Sequence, residues 1–293
     1  MMRVAPDAPR RPALRFHGAK WLLAQWILAH FPQHECYVEP FGGSAAVLLQ
    51  KPRSWLEVYN DKDREVVGFF RALREQPADL IRAIELTPFS KVEWELAQQH
   101  DPDPIESARR FYVRAYQSIA GATAQWNTGW RRQKVVSKQN GKKAMTPAAI
   151  SFMGTEHLYQ VAARLRGVML ECDDAGSVIE RYDSPETLFY LDPPYPSSTR
   201  GRWKKHAYAH EMTDDQHCEL ARAACAACGF VLISGYQCEL YDRLYATWRR
   251  FDKVARVNGP GSSVESLWLS PRTVEVLQQP RQAPLFAQVE VPA

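Results

Sequence analysis

Asp192-Pro193-Pro194-Tyr195, closing the apolar run Leu188-Phe189-Tyr190-Leu191, is the stretch on which the fold turns. Four large apolar residues in succession read as a strand buried on both faces, as in a parallel sheet. The double proline ends that strand abruptly: neither residue donates a backbone hydrogen bond, and the carbonyls remain as acceptors on a rigid turn. A carboxylate, outward carbonyls and an aromatic ring therefore stand at the carboxyl end of a strand, where open α/β sheets bind ligands. The cluster suits an aromatic amine, with oxygens accepting from an exocyclic NH2 and Tyr195 stacking on the ring. Asp192, Pro193, Pro194 and Tyr195 are the candidate catalytic residues.

Working outward, strand and helix signals alternate on both sides of this point. Upstream, Trp21 to Phe31 has helical spacing, and Tyr37-Val38-Glu39-Pro40 reads as a short strand. Phe41-Gly42-Gly43-Ser44 reads as a turn and Ala45 to Gln50 as an opening helix. A strand over Trp55–Tyr59 and a helix over Asp63–Glu75 follow, which makes a parallel α/β sheet. Residues 77–166 break the rhythm, with helical segments at Ala78–Glu85, Lys91–Gln99 and Ile105–Ser118. It resumes with strands at Val168–Glu171 and Thr187–Leu191, a helix over Asp214–Ala227, a strand over Phe230–Ser234 and a helix from Cys238. Val264–Leu269 alternates as a late, antiparallel strand. The expected organisation is a catalytic sheet over 14–76 and 167–273, interrupted by a mostly helical target-recognition insertion over 77–166. Residues 1–13 and 274–293 are expected to be a disordered N-terminus and a flexible tail.

The composition, 45% apolar and 24% charged over 293 residues, is that of a globular protein with ample core. The apolar runs are too short to span a bilayer, no signal peptide precedes them, and a cytoplasmic, membrane-free protein is expected. Six cysteines in a chain this long do not make a disulfide framework. Cys225 and Cys228 read as small buried helix residues rather than a metal site, since no partner motif accompanies them, and no metal is expected.

The first strand–turn–helix, Glu39-Pro40-Phe41-Gly42-Gly43-Ser44, lets backbone approach a ligand but lacks the full glycine pattern of a pyrophosphate binder. Asp61, at the end of the next strand, stands where an acid holds ribose hydroxyls. Lys20 is placed to pair with a small carboxylate, and Asp173 or Asp174 to reach an adenine amine or ribose. A nucleoside without phosphates but with a carboxylate, such as S-adenosylmethionine, meets these demands.

With Phe16-His17-Gly18-Ala19-Lys20, Glu39-Pro40-Phe41-Gly42-Gly43-Ser44, Tyr59-Asn60-Asp61 and Asp192-Pro193-Pro194-Tyr195 in this order, the chain resembles the Dam-like class of DNA adenine-N6 methyltransferases of bacteria and their phages. The resemblance covers residues 14–271. It implies a Rossmann-like, S-adenosylmethionine-dependent methyltransferase sheet with an inserted helical DNA-recognition domain. It also implies that Phe16, Lys20, Glu39, Pro40, Phe41, Gly43, Ser44, Asp61 and Asp192 surround the cofactor. Ala45 stands where many members have glycine, a change a helix would absorb. The segment Gln125–Met145 matches nothing in the family, so the target sequence is not carried over, nor is a restriction-modification role.

Two acid-free basic stretches point to double-stranded DNA. From Gln125 to Met145 lie Arg131, Arg132, Lys134, Lys138, Lys142 and Lys143, with Trp126 and Trp130 among them. Asn140-Gly141 suggests a hairpin that Lys134–Lys138 enters, laid against a groove, with Arg131 and Arg132 as base readers. Arg200, Arg202, Lys204 and Lys205 follow the catalytic turn. In the tail, Gln282-Ala283-Pro284-Leu285-Phe286 resembles the peptide by which bacterial DNA enzymes dock on the replication sliding clamp. The alternatives are an N4-cytosine methyltransferase, which more often carries serine at position 192, and a catalytically silent DNA-binding regulator.

Overall fold

A computed structural model describes residues 2–119, 121–122, 129–132, 138–139, 142–143, 148–199, 209–256 and 262–279. Helix α1 (Ala24–Leu28) precedes strands β1 (Cys36–Glu39) and β2 (Leu56–Asn60) and helix α2 (Arg64–Glu75). Helices α3 (Pro77–Glu85), α4 (Lys91–Leu96) and α5 (Pro104–Gln117) follow, then a two-residue ladder of β3 (Lys138–Gln139) and β4 (Lys142–Lys143). Next come α6 (Ala148–Met153), α7 (His157–Leu165), β5 (Met169–Glu171), α8 (Ala175–Tyr182) and β6 (Thr187–Leu191). The order closes with α9 (Asp214–Ala226), β7 (Phe230–Gly235), α10 (Glu239–Leu244), β8 (Arg249–Arg256), β9 (Ser262–Leu269) and α11 (Pro271–Gln278).

Local chemistry sets these limits. Asp63 caps α2 by accepting from the Glu65 amide at 2.9 Å, and Val66, Phe69, Phe70 and Leu73 then fall on one buried face. Helix α9 opens with a capping box between Thr213 and Gln216. All five residues of β6 are buried, as a central strand demands.

Seven strands form one sheet in the order β5-β2-β1-β6-β7-β9-β8. The run from β5 to β7 is parallel, while β9 lies antiparallel to both β7 and β8. The Rossmann-like sheet expected from sequence is therefore present, its late strand antiparallel as read. Strand β1 leads along the chain to β2 on one side and is flanked by β6 on the other. The sheet order thus reverses between β1 and β6, and the crevice outside their carboxyl ends is where such sheets bind ligands.

The two faces of β6 show why the sheet is sandwiched. Leu188 and Tyr190 join a core with Ile27, Phe69, Phe70, Phe111 and Leu158. Phe189 and Leu191 face Val178, Leu220, Ala224, Tyr241 and Tyr245. Helices α3 to α7 occupy the expected insertion, but Ile81, Phe111, Tyr112, Val161 and Leu165 share the first core with α2 rather than forming one of their own.

Other expectations need correction. Residues 2–13 are not a loose end: Ala5 and Ala13 are buried, and Ala5 donates to the Gln50 carbonyl at 2.8 Å. The tail begins later than residue 274, because α11 runs to Gln278, capped by Ser270. The helix expected over Trp21–Phe31 is only Ala24–Leu28. Cys225 and Cys228 are exposed, not buried. Helix α8 and strand β8 had no clear sequence signal.

The expected helix over Ala45–Gln50 is a series of turns, and its first residue is unusual. Ala45 has φ +53°, a left-handed conformation that penalises a side chain. The alanine is therefore not absorbed by a helix. Ala45→Gly should raise unfolding free energy by about 0.5–1 kcal/mol, the relief of strain less the extra chain entropy of glycine. Thermal denaturation of the two proteins would measure it.

Candidate active site

The tips of β1, β2, β5 and β6 surround a cavity of about 480 Å³. Its floor is the loop after β1, in which Pro40, Phe41, Gly42, Gly43 and Ser44 all face the space. The Gly42 amide donates to the Asn60 carbonyl at 2.7 Å, the Gly43 amide donates to Asp61 Oδ2 at 2.8 Å, and the Tyr59 hydroxyl donates to the Gly43 carbonyl at 2.7 Å. A side chain at Gly42 would start 2.1 Å from the Tyr59 ring. Gly43 has φ +47° and lies against Phe16. Tyr59-Asn60-Asp61 thus shapes the loop, and Asp61 also lines the site.

Asn60 is the last residue of β2. It is fully buried, and its side chain donates to the Pro40 and Asp173 carbonyls at 2.9 and 3.1 Å and accepts from the Asp173 amide at 2.8 Å. One amide thereby ties the tips of β1, β2 and β5. Asp173 and Asp174 both line the cavity. Asp173 also accepts from Arg181 at 2.7 Å, and Asp174 caps α8 at Gly176.

Glu39 lines the cavity at 2% exposure and accepts from the Tyr37 hydroxyl and the Leu48 amide at 2.6 and 2.8 Å. Burial pushes its carboxyl up to about 8, and Asp61, also desolvated, up to about 6. A carboxyl raised above its unfolded value stabilises the fold at low pH and loses that contribution as pH climbs through the folded value. The half-buried His34 and the buried His157, both lowered to about 4, act in the opposite sense only at more acidic pH. Between about pH 6.5 and 8 the ligand-free protein should therefore lose about 2 kcal/mol of stability through Glu39. Denaturation across this range should show the slope, and Glu39→Gln should flatten it.

At the tip of β6, Asp192 and Pro194 line the cavity, while Pro193 and Tyr195 are buried and stand off its wall. Lys20 Nζ lies 2.9 Å from Asp192 Oδ1 and 3.6 Å from Glu265 Oε1, and donates to the Gly18 carbonyl at 2.8 Å. The Tyr195 hydroxyl donates to Asp192 Oδ1 at 3.2 Å and bonds Glu265. Lys20 sits 4.9 Å over the Tyr195 ring, and Tyr236 meets that ring edge-on. Lys20, expected to pair with a ligand's carboxylate, lines the cavity and pairs with Asp192. The Tyr195 ring, expected as a stacking platform, is covered by Lys20 and Tyr236. Burial pushes Asp192 upward, and Lys20 opposes the shift.

Tyr190, Met212, Gln216 and Glu219 complete the wall and were not anticipated. Gln216 and Glu219, three residues apart on α9, lie on one face of that helix, a spacing visible in sequence once the helix is set beside β6. The lining is acidic: Glu39, Asp61, Asp63, Asp173, Asp174, Asp192, Glu211 and Glu219 against Lys20 and Lys62. Such a site suits a nucleoside carrying positive charge and would repel a polyphosphate.

Arg131 and Arg132 lie at the end of α5. Their amides donate to the carbonyls of Gln117 and Trp130 at 2.6 and 2.9 Å. Arg15, which precedes Phe16, donates to the carbonyls of Ser118 and Ile119 at 2.9 Å each. Burial and then the like charge of Arg131 lower its pKa, so two guanidiniums are gathered beside the cavity's Phe16 edge. Lys138, Lys142 and Lys143 belong to the antiparallel β3–β4 ladder, and the anticipated Asn140-Gly141 turn lies outside the described residues. Trp126, Lys134, Arg200, Arg202, Lys204, Lys205 and Gln282–Phe286 lie outside the described residues. Among the described residues, no helix is long and apolar enough to cross a membrane.

Comparison with known proteins agrees with this geometry. A family model described as D12 class N6 adenine-specific DNA methyltransferase matches residues 16–258. The DNA adenine methylase of Salmonella typhi is 24% identical over 246 residues, 80% of this chain and 84% of the relative. The DNA adenine methylase of Escherichia coli K12 is 24% identical over 223 residues, 73% of this chain and 75% of the relative.

Proposed function

The chain belongs to the D12 class of N6 adenine-specific DNA methyltransferases, and on that premise we propose that it uses S-adenosylmethionine to methylate an adenine rotated out of duplex DNA. The observation that carries this reading is the Asp192 corner. The carboxylate is on the cavity wall, and both protein donors given above, Lys20 and Tyr195, converge on Oδ1. Oδ2 is then the atom that accepts a hydrogen from the adenine amine.

That amine is a poor nucleophile because its lone pair is delocalised into the ring. An acceptor on one N–H favours a pyramidal nitrogen and returns electron density to it. The bound cofactor supplies a methyl group made electrophilic by its sulfonium centre. The chain's residues do the rest by placement: the Gly42-Gly43 loop lets backbone approach the nucleoside, Asp61 faces the ribose hydroxyls, and the acidic wall offsets the positive charge. Asp192 need not be a strong base, since the proton becomes acidic only as the new bond forms, and Lys20 opposes the upward push of burial on its carboxyl.

Base rotation follows from depth: Asp192 lies at the carboxyl end of the central strand β6, on the wall of a cavity, out of reach of an amine held in a stacked duplex. The gathered Arg15 and Arg131, with the basic ladder of β3 and β4, supply the phosphate contacts. The family is adenine-specific, so neither the N4-cytosine alternative nor the silent regulator is favoured.

Two binding experiments test this reading after single-molecule sequencing of DNA from expressing cells has given the target motif. Calorimetric titration should show saturable S-adenosylmethionine binding, and adenosine triphosphate should not compete. With 2-aminopurine at the target adenine, fluorescence should rise several-fold on binding as stacking is lost. Competition by the triphosphate would remove the cofactor assignment, and unchanged fluorescence in a formed complex would remove base rotation.

A further inference from the structure

Glu265 is a carboxylate on the core side of β9, 4% exposed, outside the cavity wall and across from the tip of β6. Resting on the catalytic reading of Asp192 above, we infer that Glu265 is a positioning residue, which holds Lys20 and Tyr195 against Asp192 Oδ1 so that Oδ2 stays available to the substrate amine. The geometry is a closed ring. Lys20 Nζ is 2.9 Å from Asp192 and 3.6 Å from Glu265, while the Tyr195 hydroxyl bonds Glu265 and lies 3.2 Å from Asp192. All four side chains are buried or nearly so, at 20% side-chain exposure for Asp192 and 6% each for Lys20 and Glu265.

An acid on the core face of a strand, alternating with the fully buried Leu267 and Leu269, is costly unless its partners repay it. A lysine paired with one carboxylate alone would neutralise that carboxylate and draw its density away from the amine. A second carboxylate shares the ammonium and keeps Asp192 electron-rich. Among the described residues, the charged and titratable groups facing Glu265 are Lys20, Asp192 and Tyr195, with Tyr190 and Tyr236 beside them. Asp192 and Glu265 repel each other, and burial raises both.

The test compares wild type, Glu265→Gln and Glu265→Asp in methyl transfer from S-adenosylmethionine to DNA over a range of pH. Calorimetric cofactor titration serves as the check of folding. For Glu265→Gln, kcat should fall about tenfold or more, with KM for DNA and cofactor affinity changed by less than about threefold. The acid limb of its kcat profile should move to lower pH, because one repelling charge beside Asp192 is gone. Glu265→Asp keeps the charge and should lie nearer wild type in both respects. An unmoved limb, or an aspartate variant no better than the glutamine one, would show that Glu265 is only structural and would overturn the inference. Should Glu265→Gln fail to bind cofactor, the aspartate variant decides alone: its limb must stay with wild type. A wild-type protein that transfers no methyl to DNA would instead refute the catalytic reading, so the two failures are distinct.

Discussion

Asp192→Ala should lower the rate of DNA methylation by about a thousandfold or more, while S-adenosylmethionine affinity falls less than about tenfold. The split follows from position. On the proposed mechanism Asp192 accepts from the amine, so its loss would act in the transition state, where the nitrogen lone pair must be released. On that same reading the nucleoside would be held mainly by the Gly42-Gly43 loop and by Asp61, which the substitution leaves in place. Collapse of the corner is not expected either, because Lys20 keeps Glu265 at 3.6 Å and the Gly18 carbonyl at 2.8 Å. Single-turnover rates and calorimetry on the same preparation would separate the two effects. Near-normal turnover in this variant would remove Asp192 from the mechanism.

Gly42→Ala carries the second large effect, on binding and stability together. Its Cβ would lie 2.1, 2.5 and 2.7 Å from three atoms of the Tyr59 ring. That ring cannot yield cheaply. Tyr59 is fully buried, packs edge-on against Phe70 at 5.2 Å between centroids, and donates to the Gly43 carbonyl at 2.7 Å. Overpacking plus the loss of that bond should cost about 2–4 kcal/mol of stability. The displaced loop should lose about a hundredfold in S-adenosylmethionine affinity, equivalent to about 2.7 kcal/mol. Melting temperature and cofactor titration would measure both; a protein with wild-type affinity would mean that the loop does not shape the cofactor site.

These two residues were legible in the sequence for different reasons. Asp192 announced itself because a fully apolar run ending in two prolines admits few readings, and the sheet placed it where the chain order reverses. Gly42 was legible only as a small residue in a turn; the ring that forbids a side chain comes from the neighbouring strand and is a tertiary fact. Asn60 looked like punctuation after Tyr59, and only the meeting of three strand tips shows its amide tying them together.

Lys20, expected from sequence to meet a ligand's carboxylate, also lies near Glu265, because sequence order does not reveal that β9 brings a second carboxylate near the tip of β6. Glu265 did leave a trace, a charged residue in step with Leu267 and Leu269. The helix expected after Ser44 failed for a backbone reason, the left-handed Ala45, which apolar spacing does not encode. Helix α8 is short, eight residues between the N-cap Asp174 and the C-cap Asp183, so its periodicity was too brief to read.

The most direct test is chemical identification of the product. Duplex DNA is incubated with the purified protein and methyl-tritiated S-adenosylmethionine, digested to nucleosides and separated. The account predicts label in N6-methyldeoxyadenosine, lost in Asp192→Ala. Label in N4-methyldeoxycytidine, or none from a folded protein that binds both cofactor and DNA, would contradict it.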